Sequence, residues 1–292
     1  MRLRRLPHKF VALTLIVVFA GGCMPSKKLT VMSTAALLED ITRASAKQSD
    51  LRVIREGMPA YLLLMDGMVE AWPDNEAILL GAAQGYSSFS SAFIADVDKD
   101  YAVALTAKAK QYALSALELR GFKNLRSKSM DDFKTGLGDM DKKDLPYLFW
   151  GASCWGNWIA LNLDSMAALA ELPRVEAMMR RTLALDAGFY YGGPHLFMGI
   201  WYASQPSMAG GNLDLSREHF LKAREFGKGQ FLMADVYFAQ YFARKAFDRE
   251  LFTATLKKVL ETPADTIPDL TLLNTVARRK AKEMLERVDD YF

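Results

Sequence analysis

Reactive side chains are scarce in this chain. It has two cysteines and three histidines in 292 residues, and only His195 and His219 lie beyond the apolar N-terminal segment. Histidine carries most proton transfer and metal ligation near neutral pH, so its scarcity narrows the chemistry open to the protein. No His-Glu-x-x-His, paired Cys-x-x-Cys or EF-hand loop occurs, which argues against a metal site. The phosphate-cradling patterns Gly-x-x-x-x-Gly-Lys-Ser/Thr and Gly-x-Gly-x-x-Gly are missing. Gly85-Tyr86-Ser87-Ser88-Phe89 fails the nucleophile-elbow pattern at its last position. Asp131-Asp132 and Asp289-Asp290 are adjacent pairs, which read as solvated surface rather than two carboxyls facing across a bond. No cofactor, no metal and no enzymatic activity are expected. Period-two alternation of β-branched residues is nearly absent too, which leaves helix as the dominant element.

One apparent exception dissolves on inspection. Gly151-Ala152-Ser153-Cys154-Trp155 looks like the segment around a papain-type nucleophile. The first cysteine of that signature is Ala152 here. His195 and His219 follow Cys154 by only 41 and 65 residues, far short of the 130–150 or so that such a site requires. Cys154 therefore reads as a buried, inert thiol among small residues suited to close helix contact.

The N-terminus carries a different signal. Arg2, Arg4, Arg5 and Lys9 precede an apolar run from Phe10 to Ala20, and Ala20-Gly21-Gly22 stands ahead of Cys23. A charged start, a short apolar stretch and small residues at the cut site make a secretory signal, too short to span a bilayer. The cysteine after them resembles the bacterial lipoprotein signal, whose chemistry acylates that residue. Residues 1–22 are expected to be removed, with Cys23 as the lipidation site and 23–29 as a tether. Met24 after the cysteine favours the outer membrane over the inner one, facing the periplasm. Removing 1–22 takes away four basic residues and no acidic one, turning a net +3 into −1. No global field then draws in nucleic acid, and no basic stripe interleaved with aromatics is present. Cys154 is left without a partner for an internal disulfide, so packing must hold the fold.

The remainder, 30–292, reads as a single all-α domain. In Ile78–Phe93, Leu79, Ala82, Ala83, Tyr86, Phe89 and Phe93 recur at three- and four-residue steps. Leu105, Ala109, Tyr112, Ala113, Ala116 and Leu117 form a second stripe, closed by Gly121 as a C-cap candidate. Further helices are expected near 30–47, 49–71, 143–162, 173–186, 194–205, 213–227, 230–246, 248–261 and 268–288. Helix pairs of this length fit a degenerate tetratricopeptide-like repeat of about 34 residues. Ser216-x3-Phe220-x2-Ala223 matches its small-aromatic-alanine spacing, Ala109-x3-Ala113-x2-Ala116 matches its small positions, and Val175-x3-Met179-x2-Thr182 is a weaker copy. A plain antiparallel bundle would produce some of these matches as well. In a repeat solenoid, stacked hairpins leave a concave groove or lumen.

Aromatic clusters are the candidate ligand contacts. Trp150, Trp155 and Trp158 fall within nine residues, flanked by Tyr147 and Phe149. They read either as the core of a central helix or as the lining of a cavity for an apolar ligand. Phe189-Tyr190-Tyr191-Gly192-Gly193-Pro194-His195 is a glycine-bearing entrance to the next helix, in which Pro194 suits the first turn. Tyr190, Tyr191, His195 and the downstream Trp201 join the three tryptophans as lumen-lining candidates. Asp214 is an N-cap candidate for the helix after the Met208–Asn212 loop.

The lipoprotein signal, the degenerate repeats, the Gly210-Gly211 loop before residues 213–223, and the ending Asn274 to Ala281 with Asp289-Asp290-Tyr291-Phe292 together resemble the T-component (TatT) family of tripartite ATP-independent periplasmic (TRAP) transporters. The resemblance implies a helical, tetratricopeptide-like, lipid-anchored accessory protein. It further implies a periplasmic substrate-binding protein as partner, a hydrophobic or organic-acid ligand in a lumen, and homo-oligomers, a trimer among them. It supplies no catalytic residues. The alternative is an outer-membrane scaffold lipoprotein whose helical repeats organise envelope or barrel assembly.

Overall fold

The computed structural model describes residues 26–292. The expected signal peptide and Cys23 lie outside the described residues. No strand occurs among the described residues, and none of their helices is long and apolar enough to cross a membrane.

The helices run α1 (Ser26–Ala46), α2 (Leu51–Ala71), α3 (Glu76–Phe89), α4 (Lys99–Leu119), α5 (Met130–Gly138), α6 (Leu145–Leu161), α7 (Met166–Leu169), α8 (Leu172–Leu185), α9 (Phe189–Ser204), α10 (Leu213–Phe226), α11 (Leu232–Tyr237), α12 (Arg249–Glu261) and α13 (Thr271–Glu286). Side-chain caps set many of their starts, because the first backbone N–H groups of a helix have no partner inside it. Asp50 accepts from the amides of Arg52 and Val53, Asn75 from Ala77 and Ile78, and Asp248 from Leu251. At α10 the cap is Asn212, not Asp214. Asn212 has an extended backbone, so its side chain reaches the Leu215 amide at 2.9 Å, whereas Asp214 already lies inside the first turn. The C-cap of α4 is Arg120, and Gly121 follows it with φ +99, the left-handed position just past a helix end that favours glycine.

Three elements depart from the expectation, one of them the single turn of α7, which was not foreseen. α1 begins at Ser26 and so takes in residues 26–29, which the sequence reading gave to the tether. α5 was not foreseen; Ser129 caps it, and Phe133 and Leu137 drop one turn apart into the core.

Helices adjacent in sequence mostly pack on each other: α2 on α3, α3 on α4, α8 on α9, α9 on α10, and α12 on α13, with α4 on α6 and α6 on α8 continuing the stack. The repeat positions occupy the closest contacts. Ser216, Phe220 and Ala223 are fully buried, and the Ser216 hydroxyl donates to the Gly199 carbonyl at 2.8 Å. A methyl added at Gly199 would fall 2.9 Å from the Phe220 ring, so the glycine is what lets α9 and α10 touch. Ala109, Ala113 and Ala116 on α4 and Val175, Met179 and Thr182 on α8 are buried in the same way.

The stack closes on itself. α13 packs back on α1 and α2. Its Arg279 guanidinium donates to the carbonyl of Ala92, and its Lys280 pairs with Asp96, across 187 and 184 residues of sequence. Ala92 sits in a π turn over Ser90–Ile94, where the Ala95 amide reaches back five residues to the Ser90 carbonyl. Such a turn disrupts the regular hydrogen-bond ladder, and the arginine satisfies a carbonyl there.

Candidate functional site

Closure brings three apolar cores around one junction. The first is built by α1–α4 with Cys154, the second by α9–α13, and the third by residues of α4–α6, α8 and α9. Trp150 and Tyr147 pack against both the first and third cores. Leu51, Ala92 and Leu272 pack against both the first and second.

A short run of unusual backbone places the junction's central ring. Tyr190, Tyr191 and Gly192 have φ of 47°, 58° and 79°, three consecutive left-handed residues at the start of α9. Left-handed conformations cost non-glycine residues about 1–3 kcal/mol each and persist only where surrounding structure holds them. The hold is visible on both sides. A methyl at Gly192 would meet the Ala223 backbone at 3.0 Å, and one at Gly193 would meet the Phe149 ring at 2.7 Å. Regular helix resumes around Pro194, in keeping with its expected first-turn role.

The bend presents Tyr190 edge-on to Trp150 at 5.3 Å between ring centroids, with Phe149 at 5.5 Å, Tyr191 at 5.9 Å and Phe231 at 6.3 Å. Tyr191 lies 5.8 Å from Phe231. Burial pushes the Tyr190 hydroxyl up to about 12, with a smaller push from Tyr191. It is therefore a neutral donor at any physiological pH. Rings from α6, from the α9 entrance and from the residue preceding α11 thus form one apolar cluster. Trp150, Tyr190 and Tyr191 all remain half-buried, with surface available to a ligand.

The other candidates separate from this group. Trp155 is fully buried, and its indole N–H donates to the carboxylate of Glu171. Trp158 is half-buried with the Lys110 ammonium 3.6 Å from its ring centroid. Lys110 also pairs with Glu171, so Trp155, Trp158, Lys110 and Glu171 form one polar staple joining α4, α6 and the start of α8. Burial lowers the Lys110 pKa against the opposing pull of Glu171. Trp201 stacks loosely on Phe197 at 6.5 Å, in the third core. His195 is buried, and its Nδ1 lies 2.9 Å from Nδ1 of His219. Phe226 stacks on its ring at 5.6 Å. Desolvation, and then the neighbouring His219, lower the His195 pKa to about 4. Both rings are therefore neutral near pH 7, one donating to the other.

Sequence reasoning missed Phe231. Phe231 follows the Lys228-Gly229 turn, where both residues have positive φ, and only the closed arrangement brings it to Tyr190. Tyr147 flanked the tryptophan cluster, but its place between two cores carries no linear signal. Cys154 is fully buried and its thiol is pushed up to about 12 by desolvation, so it is not poised as a nucleophile. Among the described residues, no grouping of three or more His, Cys, Asp or Glu side chains is placed to hold a metal ion.

No curated protein matches the chain. A family model does, over residues 47–292, from just before α2 to the C-terminal residue, and its description is the TRAP transporter T-component. The all-helical architecture and the match across nearly all of the described residues agree: the chain belongs to the TRAP transporter T-component family, accessory components of a solute transporter.

Proposed function

We propose that the protein works in the periplasm, anchored by acylated Cys23 and held preferentially at the outer membrane. There it binds the substrate-binding protein of its transporter and shelters an apolar or amphipathic ligand. It makes and breaks no bonds; it holds and hands over, and it does so as a homo-oligomer. The observation that carries this reading is the junction of Trp150, Tyr190, Tyr191 and Phe231 at the meeting point of three cores. Its position depends on the strained left-handed backbone at Tyr190 and Tyr191. Ring faces offer dispersion and apolar burial, and the phenols offer hydrogen bonds to a polar end such as a carboxylate. Trp155, buried against Glu171, serves the scaffold. Trp158, His195 and Trp201 lie outside the ring cluster and are secondary contacts at most.

The test is capture from native membranes. Affinity purification of the full-length protein after mild crosslinking is expected to recover the solute-binding protein of a TRAP transporter. Repeated recovery of the bait without any solute-binding protein would defeat the proposal.

A further inference from the structure

The first two helices carry an apolar surface that no other part of the described chain covers. Leu29, Met32, Leu37 and Ile41 on α1 are exposed, as are Val53, Leu63 and Leu64 on α2, with Leu63 at 71%. At about 100° per residue, Val53, Gly57, Ala60 and Leu64 fall within an arc of roughly 60°. The space outside Gly57 and Gly67 is open. The buried face of α2 is a separate set, namely Ile54, Leu62, Met65 and Met68. On the helix wheel the exposed set adjoins the buried one, so the apolar arc of α2 runs past its covered side onto the open surface, wider than a surface helix needs for one core contact. Exposed apolar side chains elsewhere stand singly, as Met208 does, or in pairs such as Leu163 with Met166 and Val97 with Tyr101, smaller groups than this one.

The position of this face in the chain identifies its occupant. Only Met24 and Pro25 separate Cys23 from Ser26, where α1 begins. Three residue steps span at most about 10 Å, so an acylated Cys23 holds the start of α1 at the bilayer surface. At that same end the Lys28 ammonium lies 5.0 Å over the ring of Trp72, just past the end of α2. Lysine and tryptophan together suit the headgroup level, where an amphipathic ring and a snorkelling cation both find partners. Of the exposed acids on these helices, Asp40 and Glu56 are paired with Arg43 and Arg52, while Glu39 and Glu70 face solvent.

We propose that the outer face of α1 and α2 is a membrane-contacting surface, lying in the phospholipid headgroup region of the leaflet that holds the acylated Cys23. This inference rests on the anchoring reading above. Stable membrane attachment commonly combines two signals, and an apolar helical face beside an acyl chain supplies the second. The face fixes the orientation of the helical ring on the membrane and leaves the rest of the surface to protein partners.

The experiment uses the full-length protein in vesicles of phosphatidylethanolamine and phosphatidylglycerol. An environment-sensitive nitrobenzoxadiazole label is placed singly through Leu37→Cys, Leu63→Cys or, as a control, Met208→Cys on an exposed loop. Cys154 is buried and does not compete for the label. Labels at 37 and 63 are expected to shift to the blue and to lose at least half of their emission to doxyl-labelled lipids, while the label at 208 does neither. Emission at 63 that lipid quenchers leave unchanged overturns the proposal. A blue shift without lipid quenching also overturns it, and identifies a second copy as the occupant. Intact mass of the same sample reports acylation separately. Acylated protein with an unquenched label defeats this inference alone, and unacylated protein defeats the anchoring reading with it.

Discussion

Acid is expected to destabilise the protein through His195 in particular. The side chain is 6% exposed, its Nδ1 contacts that of His219, and Phe226 stacks on its ring. The charges around the pair are mixed: Lys222 and Arg180 disfavour protonation and Glu218 favours it. Burial dominates and takes the His195 pKa from 6.5 to about 4. A depressed histidine binds its proton more weakly folded than unfolded. Its contribution to stability is therefore complete above pH 6.5 and is lost as pH falls toward 4. Between pH 7 and pH 5 the loss from this one group is about 2 kcal/mol, and it approaches about 3 kcal/mol once both states are protonated. The assay is urea unfolding of the wild type and of His195→Gln at pH steps from 7.5 to 4.5. Carboxylate titrations shared by both proteins cancel in the difference. The wild type is expected to lose about 2 kcal/mol more than the variant between pH 7 and 5. A difference that stays flat within 0.5 kcal/mol or so would refute the assignment of a buried, neutral His195.

Three further outcomes follow from the same geometry. Gly192→Ala places a methyl against the Ala223 backbone at a φ of +79. It should cost about 3 kcal/mol or more by thermal denaturation, whereas Gly138→Ala, with open space around it, should be near neutral. Arg279→Gln leaves the Ala92 carbonyl in the π turn without its donor. A loss of about 1–3 kcal/mol is expected, together with faster hydrogen exchange in 90–94 and along α13, and an unchanged exchange pattern there would contradict the closure. Cys154 should react with thiol reagents only as fast as the chain opens, because its thiol is buried and its pKa is about 12. Rapid labelling of the native protein would show that the first core is not sealed.

How much of this was legible in the residues depended on how local each cause is. The stripes through Leu79–Phe89 and Leu105–Leu117 gave helices because their period is set within a few turns. Ser216, Phe220 and Ala223 announced a close helix pair because small residues at those steps have few other uses, and the Gly199 carbonyl is where Ser216 goes. α5 hid because nine residues with two buried apolar side chains show too little periodicity to register. The tryptophan cluster could not be divided from sequence. Trp155 and Trp150 sit five residues apart on one helix, yet one meets Glu171 and the other Tyr190. That division depends on how α8 and α9 fold back against α6, which the spacing along the chain does not reveal. The left-handed run at Tyr190 and Tyr191 was beyond reach for a related reason. The two glycines after it advertised a bend, but only packing against Phe149, Ala223 and Phe231 holds two tyrosines in a conformation they disfavour. Closure of the ring through Arg279 and Lys280 left no trace in the sequence, because basic residues on a terminal helix do not say which carbonyl or carboxylate they will meet.

The central claim, that the aromatic junction receives an apolar ligand, is tested most directly by titrating the full-length protein with the fluorescent dye 1-anilinonaphthalene-8-sulfonate and reading energy transfer from tryptophan. The account predicts saturable binding in the wild type that falls at least tenfold in affinity in Tyr190→Ala and in Trp150→Ala, with Trp201→Phe close to wild type. Binding that never saturates, or that is indifferent to Tyr190 and Trp150, would contradict it.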